Sequence, residues 1–136
     1  MSDHKKTAQR FYDEVASGGD LDLIDEILDD AFVEHEELPG MPPTRDGVRA
    51  TFQMLRAAFP DLAMSVRDMV QEGDKLAVRA RMSGTHEGDF MGMPGSGKTF
   101  DIEVFDLLEF SGDRLVAHWG VMDQAAMMEQ LGGTPE

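Results

Sequence analysis

The sequence predicts an α+β domain in which three N-terminal helices pack on a curved antiparallel sheet and a further helix follows at the C-terminus. Three observations carry this expectation. Apolar residues recur at helical spacing up to Phe59, alternate at every second position from 62 to 122, and return to helical spacing from about 123. Helices grouped before an antiparallel meander cover one of its faces. A curved sheet covered in this way leaves a cavity beneath the helices, a natural seat for a small ligand.

The elements follow in order. Residues 3–17 read as a helix, with Ala8, Phe11, Tyr12 and Val15 on one side and Ser17-Gly18-Gly19 stopping it. Residues 20–29 read as a second, short helix that Asp20 can cap, with Leu21, Ile24, Ile27 and Leu28 as its apolar stripe. A short extended piece, Ala31 to His35, precedes the loop Leu38-Pro39-Gly40-Met41-Pro42-Pro43, which proline excludes from helix. Thr44 can cap a third helix to Phe59 that buries Val48, Phe52, Leu55 and Phe59, and Pro60 closes it. Residues 62–72, 75–86, 99–110 and 114–122 read as four strands, with hairpin turns at Gly73-Asp74 and Gly112-Asp113. A long connection, 87–98, joins the middle pair, and a last helix spans about 123–131.

Composition narrows the function classes. The 136 residues form one domain, 1–136, with an ordered core of about 5–132. Such a chain buries roughly two-thirds of its unfolded surface and needs no staple. It has no cysteine, which excludes disulfides, thiolate zinc sites and cysteine nucleophiles. Twelve basic residues against 27 acidic ones leave a net charge of −15, which repels nucleic acid and anionic lipid. The start, MSDHKK, lacks the apolar run of a signal peptide, and no stretch reaches the ~20 apolar residues of a membrane span. A cytoplasmic protein without metal or cofactor is expected.

The string Gly92-Met93-Pro94-Gly95-Ser96-Gly97-Lys98-Thr99 fits the phosphate-binding pattern GxxxxGK[ST]. A phosphate loop opens a helix, whereas Phe100, Ile102 and Val104 alternate with Asp101 and Glu103 as in a strand. A glycine-rich connection between strands is the better reading. His35-Glu36-Glu37-Leu38-Pro39 is not HExxH, and the acidic cluster Asp29, Asp30, Glu34, Glu36 and Glu37 lacks calcium-loop spacing and reads as solvated surface.

Strand parity locates polar groups on apolar faces. Leu76, Val78, Ala80, Met82 and Gly84 lead to His86; Phe100, Ile102, Val104, Leu108 and Phe110 enclose Asp106; Leu115, Ala117, Trp119 and Val121 lead to Asp123. A buried carboxyl is costly without a partner or a role, and desolvation raises its pKa toward the range useful for proton transfer. Asp123 either removes a substrate proton or only caps the last helix. Asp106 is either functional, satisfied by backbone amides, or turned outward at a bulge. His86 and His35 are each either catalytic or merely satisfied. His118 has the opposite parity and falls on the outer face or a subunit interface; His4 falls in a frayed terminus. Trp119, Tyr12, Phe52, Met54, Met82, Phe90, Phe100 and Val104 are the expected cavity lining, Trp119 as a flat wall and the methionines as adaptable filling.

These features resemble the SnoaL-like polyketide cyclases of the nuclear transport factor 2-like superfamily over roughly residues 5–132. The likeness rests on Phe11-Tyr12, Phe32-Val33-Glu34-His35, Leu38-Pro39-Gly40, Ala58-Phe59-Pro60-Asp61-Leu62, Gly84-Thr85-His86-Glu87-Gly88, Gly97-Lys98, His118-Trp119-Gly120-Val121-Met122-Asp123 and Gln130-Leu131-Gly132. The resemblance implies a cone-shaped α+β barrel around a deep pocket. It also implies a cofactor-free intramolecular aldol condensation of an aromatic polyketide ester, with Asp123 as general base. A position often histidine in the family is Asp106 here, and the usual acidic residue two before the tryptophan is Ala117. An aspartate beside Asp123 would keep one of the two protonated, leaving His86 or His35 to stabilise an enolate. The competing expectation is a non-catalytic binding or dimerisation module of the same fold. The expected partners are a hydrophobic small molecule and a second copy of the chain, most simply as a homodimer.

Overall fold

The computed structural model describes residues 3–36 and 40–132. The Leu38-Pro39 part of the expected loop therefore lies outside the described residues. Helix α1 (His4–Arg10) is capped by the Asp3 carboxylate on Lys6 N–H. It runs without a break into a wider, π-helical segment (Phe11–Ser17) that buries Tyr12, Val15 and Ala16. A 3₁₀ turn (Leu21–Leu23) leads into the short α2 (Ile24–Ile27). The expected second helix is thus shorter than its apolar stripe, because Leu28 is already strand.

Strand β1 (Leu28–Glu34) is the extended piece before the proline loop, longer than its sequence signal. Helix α3 (Arg45–Ala58) follows, with Thr44 accepting from Gly47 N–H. A side chain at residue 47 has no room, since a Cβ would lie 1.8 Å from the Pro42 carbonyl. Strands β2 (Ala63–Glu72), β3 (Lys75–Thr85), β4 (Thr99–Ser111) and β5 (Arg114–Met122) then form the expected meander, and α4 (Gln124–Gln130) ends it.

The sheet has five strands in the order β1-β5-β4-β3-β2 and does not close on itself. The three antiparallel pairings of the expected meander are present; β1 adds itself beside β5 in parallel, so the sheet is mixed. The even-numbered residues of β3 and β4 face the helices, and Leu76, Val78, Ala80, Phe100, Ile102 and Phe110 are buried there. Lys98 is followed by strand β4, not by a helix, so the phosphate-loop string joins two strands. His86 anchors that loop: its carbonyl accepts from Ser96 and Gly97 N–H, and its own N–H reaches Lys98. His4 is no frayed end; it is buried, stacked on Phe110 at 4.2 Å and bonded to Asp74 at 3.0 Å. No helix among the described residues is long and apolar enough to cross a membrane.

One irregularity decides what the sheet presents to the helices. In the β4–β5 ladder Phe110 faces Leu115 but Glu109 faces Ala117, so Val116 is an extra residue in β5. A one-residue bulge reverses the facing of everything beyond it. Leu108 then faces His118, Asp106 faces Gly120 and Val104 faces Met122. The uninterrupted parity of residues 115–123 is corrected accordingly: His118, Gly120 and Met122 turn inward, and Trp119 and Val121 turn outward.

Candidate active site

A cavity of about 660 Å³ lies between the helices and the sheet. Its walls are mostly apolar and draw on the first helix, α3, the meander and α4. Tyr12, Phe52, Met54, Met82, Phe90 and Val104 line it. Phe100, also expected there, is packed behind the wall against Phe59, with ring centroids 4.8 Å apart.

Polar groups meet on one wall. The β5 bulge turns His118 inward, and the parallel pairing of β1 sets Glu34 beside it. His118 is held from both sides: Nδ1 lies 2.5 Å from Glu34 Oε2, and Nε2 lies 2.7 Å from Asp106 Oδ1. Tyr12, carried by the π-helical segment, donates its hydroxyl to Asp106 Oδ2 at 2.5 Å. Glu36, two residues past Glu34, brings Oε1 to 3.9 Å from His118 Nε2. The result is a chain of alternating charge, Glu34–His118–Asp106, ended by a phenol and flanked by a further carboxyl.

The electrostatics follow from this packing. Burial pulls His118 toward its neutral form, but the hydrogen bonds and charges of Asp106 and Glu34 outweigh it and raise its pKa to about 10. His118 is therefore an imidazolium that donates through both ring nitrogens. Burial pushes Glu36 up to about 7; the His118 charge opposes this, and the charges of Asp106 and Glu34 add to it. Burial, then the Asp106 charge, lifts the Tyr12 hydroxyl well above the ordinary phenol range, so it stays a donor.

Glu36, Asp106 and His118 each bring one potential ligand atom within 4.8 Å of the others, a spacing a divalent ion can bridge. The donor chemistry does not suit one. Both nitrogens of His118 carry protons engaged by carboxylates, so neither offers a lone pair.

The structure brings only one of the four expected catalytic side chains, Asp106, into this wall. Asp123 is exposed, and its carboxylate accepts from Ala126 N–H as the cap of α4. It does not line the cavity, because the bulge puts residues 119, 121 and 123 on the far side. Trp119 goes the same way and stacks on His35 at 4.4 Å, so both expected site residues lie on the outer face. His86 is buried beside Phe59 and Phe90, with Nδ1 on Ser96 Oγ, outside the cavity lining. Sequence reasoning missed Glu34, Glu36 and His118. The carboxylates were hidden in an acidic run that resembles solvated surface, and His118 was hidden by an unmarked bulge.

A curved five-stranded sheet with helices over one face, and carboxyl, imidazole and phenol groups gathered on one wall of the cavity between them, defines a cavity protein of the α+β class. The chain belongs to the SnoaL-like polyketide cyclase family, whose model matches residues 6–131. It is similar to IdmH of Streptomyces antibioticus, a candidate polyketide cyclase, with 33% identity, 96% of this chain and 99% of that chain covered, and a TM-score of 0.84. TsrD of Streptomyces laurentii is 26% identical over 96% and 95% of the two chains, with a TM-score of 0.86. A candidate SnoaL-like polyketide cyclase of Jannaschia sp. CCS1 is 26% identical over 97% and 93%, with a TM-score of 0.83. No curated protein matches the chain.

Proposed function

We propose that the protein catalyses acid–base chemistry on a hydrophobic carbonyl compound, in the manner of an intramolecular aldol ring closure of a polyketide-type ester. The observation that carries this reading is the meeting of Tyr12, Asp106 and His118 on one wall of an otherwise apolar cavity. An apolar cavity holds a flexible substrate folded, which converts an encounter into an intramolecular step. The His118 imidazolium sets a positive charge where negative charge develops on a carbonyl oxygen, in surroundings that screen it poorly. The wall, and not Asp123, is the reacting centre in this reading.

The test is incubation with an aromatic polyketide methyl ester that bears a ketone side chain, followed by chromatography and mass spectrometry. An aldol addition gives a ring-closed isomer of unchanged mass. The wild type forms it and His118→Asn does not; a wild type that leaves every such ester unchanged defeats the proposal.

The protein also acts as a homodimer in this reading, joined through the outer face of the sheet. Val70, Phe105, Trp119 and Val121 are 69, 50, 37 and 66% exposed there, an apolar patch on the surface of an otherwise strongly acidic chain. The charges beside it are already neutralised in pairs, Arg79 with Asp68 and Arg81 with Asp101. A second copy with the same net charge of −15 meets the least repulsion on this face, and a two-fold axis sets the patch on itself.

A further inference from the structure

Gly120 faces Asp106 across the β4–β5 ladder and offers the cavity no side chain. A Cβ at residue 120 would stand 2.5 Å from Glu36 Oε1, 2.6 Å from Asp106 Oδ1 and 2.8 Å from His118 Nε2. Real Cβ atoms do not approach so closely, so three polar atoms share a space that any other residue at this position would take. The gap is what lets Glu36 reach the wall from the segment after β1.

The three carboxyl groups of the wall are not equivalent. Glu34 and Asp106 each take a hydrogen bond from His118, and Asp106 takes a second from Tyr12. The oxygens that bond His118 and Tyr12 are thereby engaged and not open to a substrate C–H. No hydrogen bond to the Glu36 carboxyl is present among the described residues, and its side chain is largely buried in the cavity wall.

We propose that Glu36 is the catalytic proton acceptor of this cavity, admitted to the reacting centre by the absence of a side chain at Gly120. The inference rests on the acid–base reading above. In the ring closure, a Glu36 oxygen takes the proton from the carbon next to a carbonyl, and the C–H electron pair becomes the enolate. The enolate carbon bonds to the second carbonyl carbon, whose oxygen then takes the proton back from Glu36. Atoms and charge balance without a co-reactant. The groups facing Glu36 are Glu34 from β1, Asp106 from β4, His118 from β5 and Tyr12 from the π-helical segment. Their combined effect with burial holds its proton to about pH 7, so both protonation states are present near neutrality.

The probe is 5-nitrobenzisoxazole, an uncharged carbon acid. Loss of its ring proton to a carboxylate breaks the N–O bond and leaves a coloured cyanophenolate. The wild type is expected to accelerate this reaction with a rate that rises through about pH 7. Glu36→Gln loses about 100-fold and the pH dependence with it, and Glu36→Asp keeps the pH dependence at a lower rate. Titration of the ¹³C-labelled Glu36 carboxyl by NMR gives the same midpoint in the wild type. Acceleration with an unchanged rate and midpoint in Glu36→Gln, or an NMR midpoint near 4, overturns the role of Glu36 alone. No acceleration by the wild type overturns this role together with the acid–base reading beneath it.

Discussion

His118 Nε2 lies 2.7 Å from Asp106 Oδ1, one diagonal step across the β4–β5 ladder, because the bulge at Val116 turns His118 to the inner face. The same ring donates its other N–H to Glu34. Replacing His118 by Asn leaves two inward carboxylates without their cation. Removing one member of a buried charge network costs about 3–5 kcal/mol, so His118→Asn is expected to lower the urea midpoint substantially. The loss should be larger at pH 6 than at pH 9, because the stabilising charge of His118 is complete below 6.5 and declines as the pH rises toward 10.

The pH dependence of stability has a definite sign. His118 has a folded pKa of about 10 against an ordinary 6.5, so its contribution is complete below 6.5 and is lost as the pH rises through 10. Glu36 has a folded pKa of about 7 against an ordinary 4.5, so the folded state favours its neutral form. That contribution is complete below 4.5 and is lost as the pH rises through 7. Both groups therefore make urea stability fall from pH 4.5 to pH 10. Glu36→Gln should flatten the segment between 4.5 and 7 and raise stability at pH 8; a curve that keeps its slope there contradicts the burial of Glu36.

Tyr12 tests the phenolic end of the network. Tyr12→Phe keeps the packing of the ring and removes the donor to Asp106. A hydrogen bond to a charged group is worth about 1.5–3 kcal/mol, and the melting temperature should fall accordingly. Turnover should fall with it, because Asp106 is then free to rotate away from His118.

Asp123 and the wall make opposite predictions. Asp123→Ala removes the cap of α4 and is expected to cost about 0.5–2 kcal/mol, read by thermal melting. Deprotonation of the benzisoxazole probe, measured below the melting transition, should be unchanged. A loss comparable to that of Glu36→Gln would return the base to the end of β5.

The outer sheet face is tested by charge. Val121→Lys together with Phe105→Glu places two charges on the exposed patch, on the face of the sheet opposite the cavity lining. Light scattering after gel filtration should report the mass of two chains for the wild type and of one chain for the double variant. A wild type of one-chain mass at micromolar concentration ends the homodimer proposal.

The sequence by itself determined the α+β class, the four strands of the meander, the capped α3 and the rejection of the phosphate loop. Each of these depends on periodicity, capping or turn chemistry, which act between residues close in the chain. The motifs of residues 5–132 likewise carried the family. Asp106 was legible because its strand alternates without interruption from Phe100 to Phe110. The rest of the candidate site was decided by tertiary structure. One extra residue in β5, unmarked by glycine or proline, exchanges the places of His118 and Trp119. The parallel pairing of β1 with the last strand, a contact between residues more than eighty positions apart, then lifts Glu34 and Glu36 out of an apparently solvated acidic run and sets them against His118. Parity along a strand is local information, whereas its register against a neighbour is set by the whole sheet.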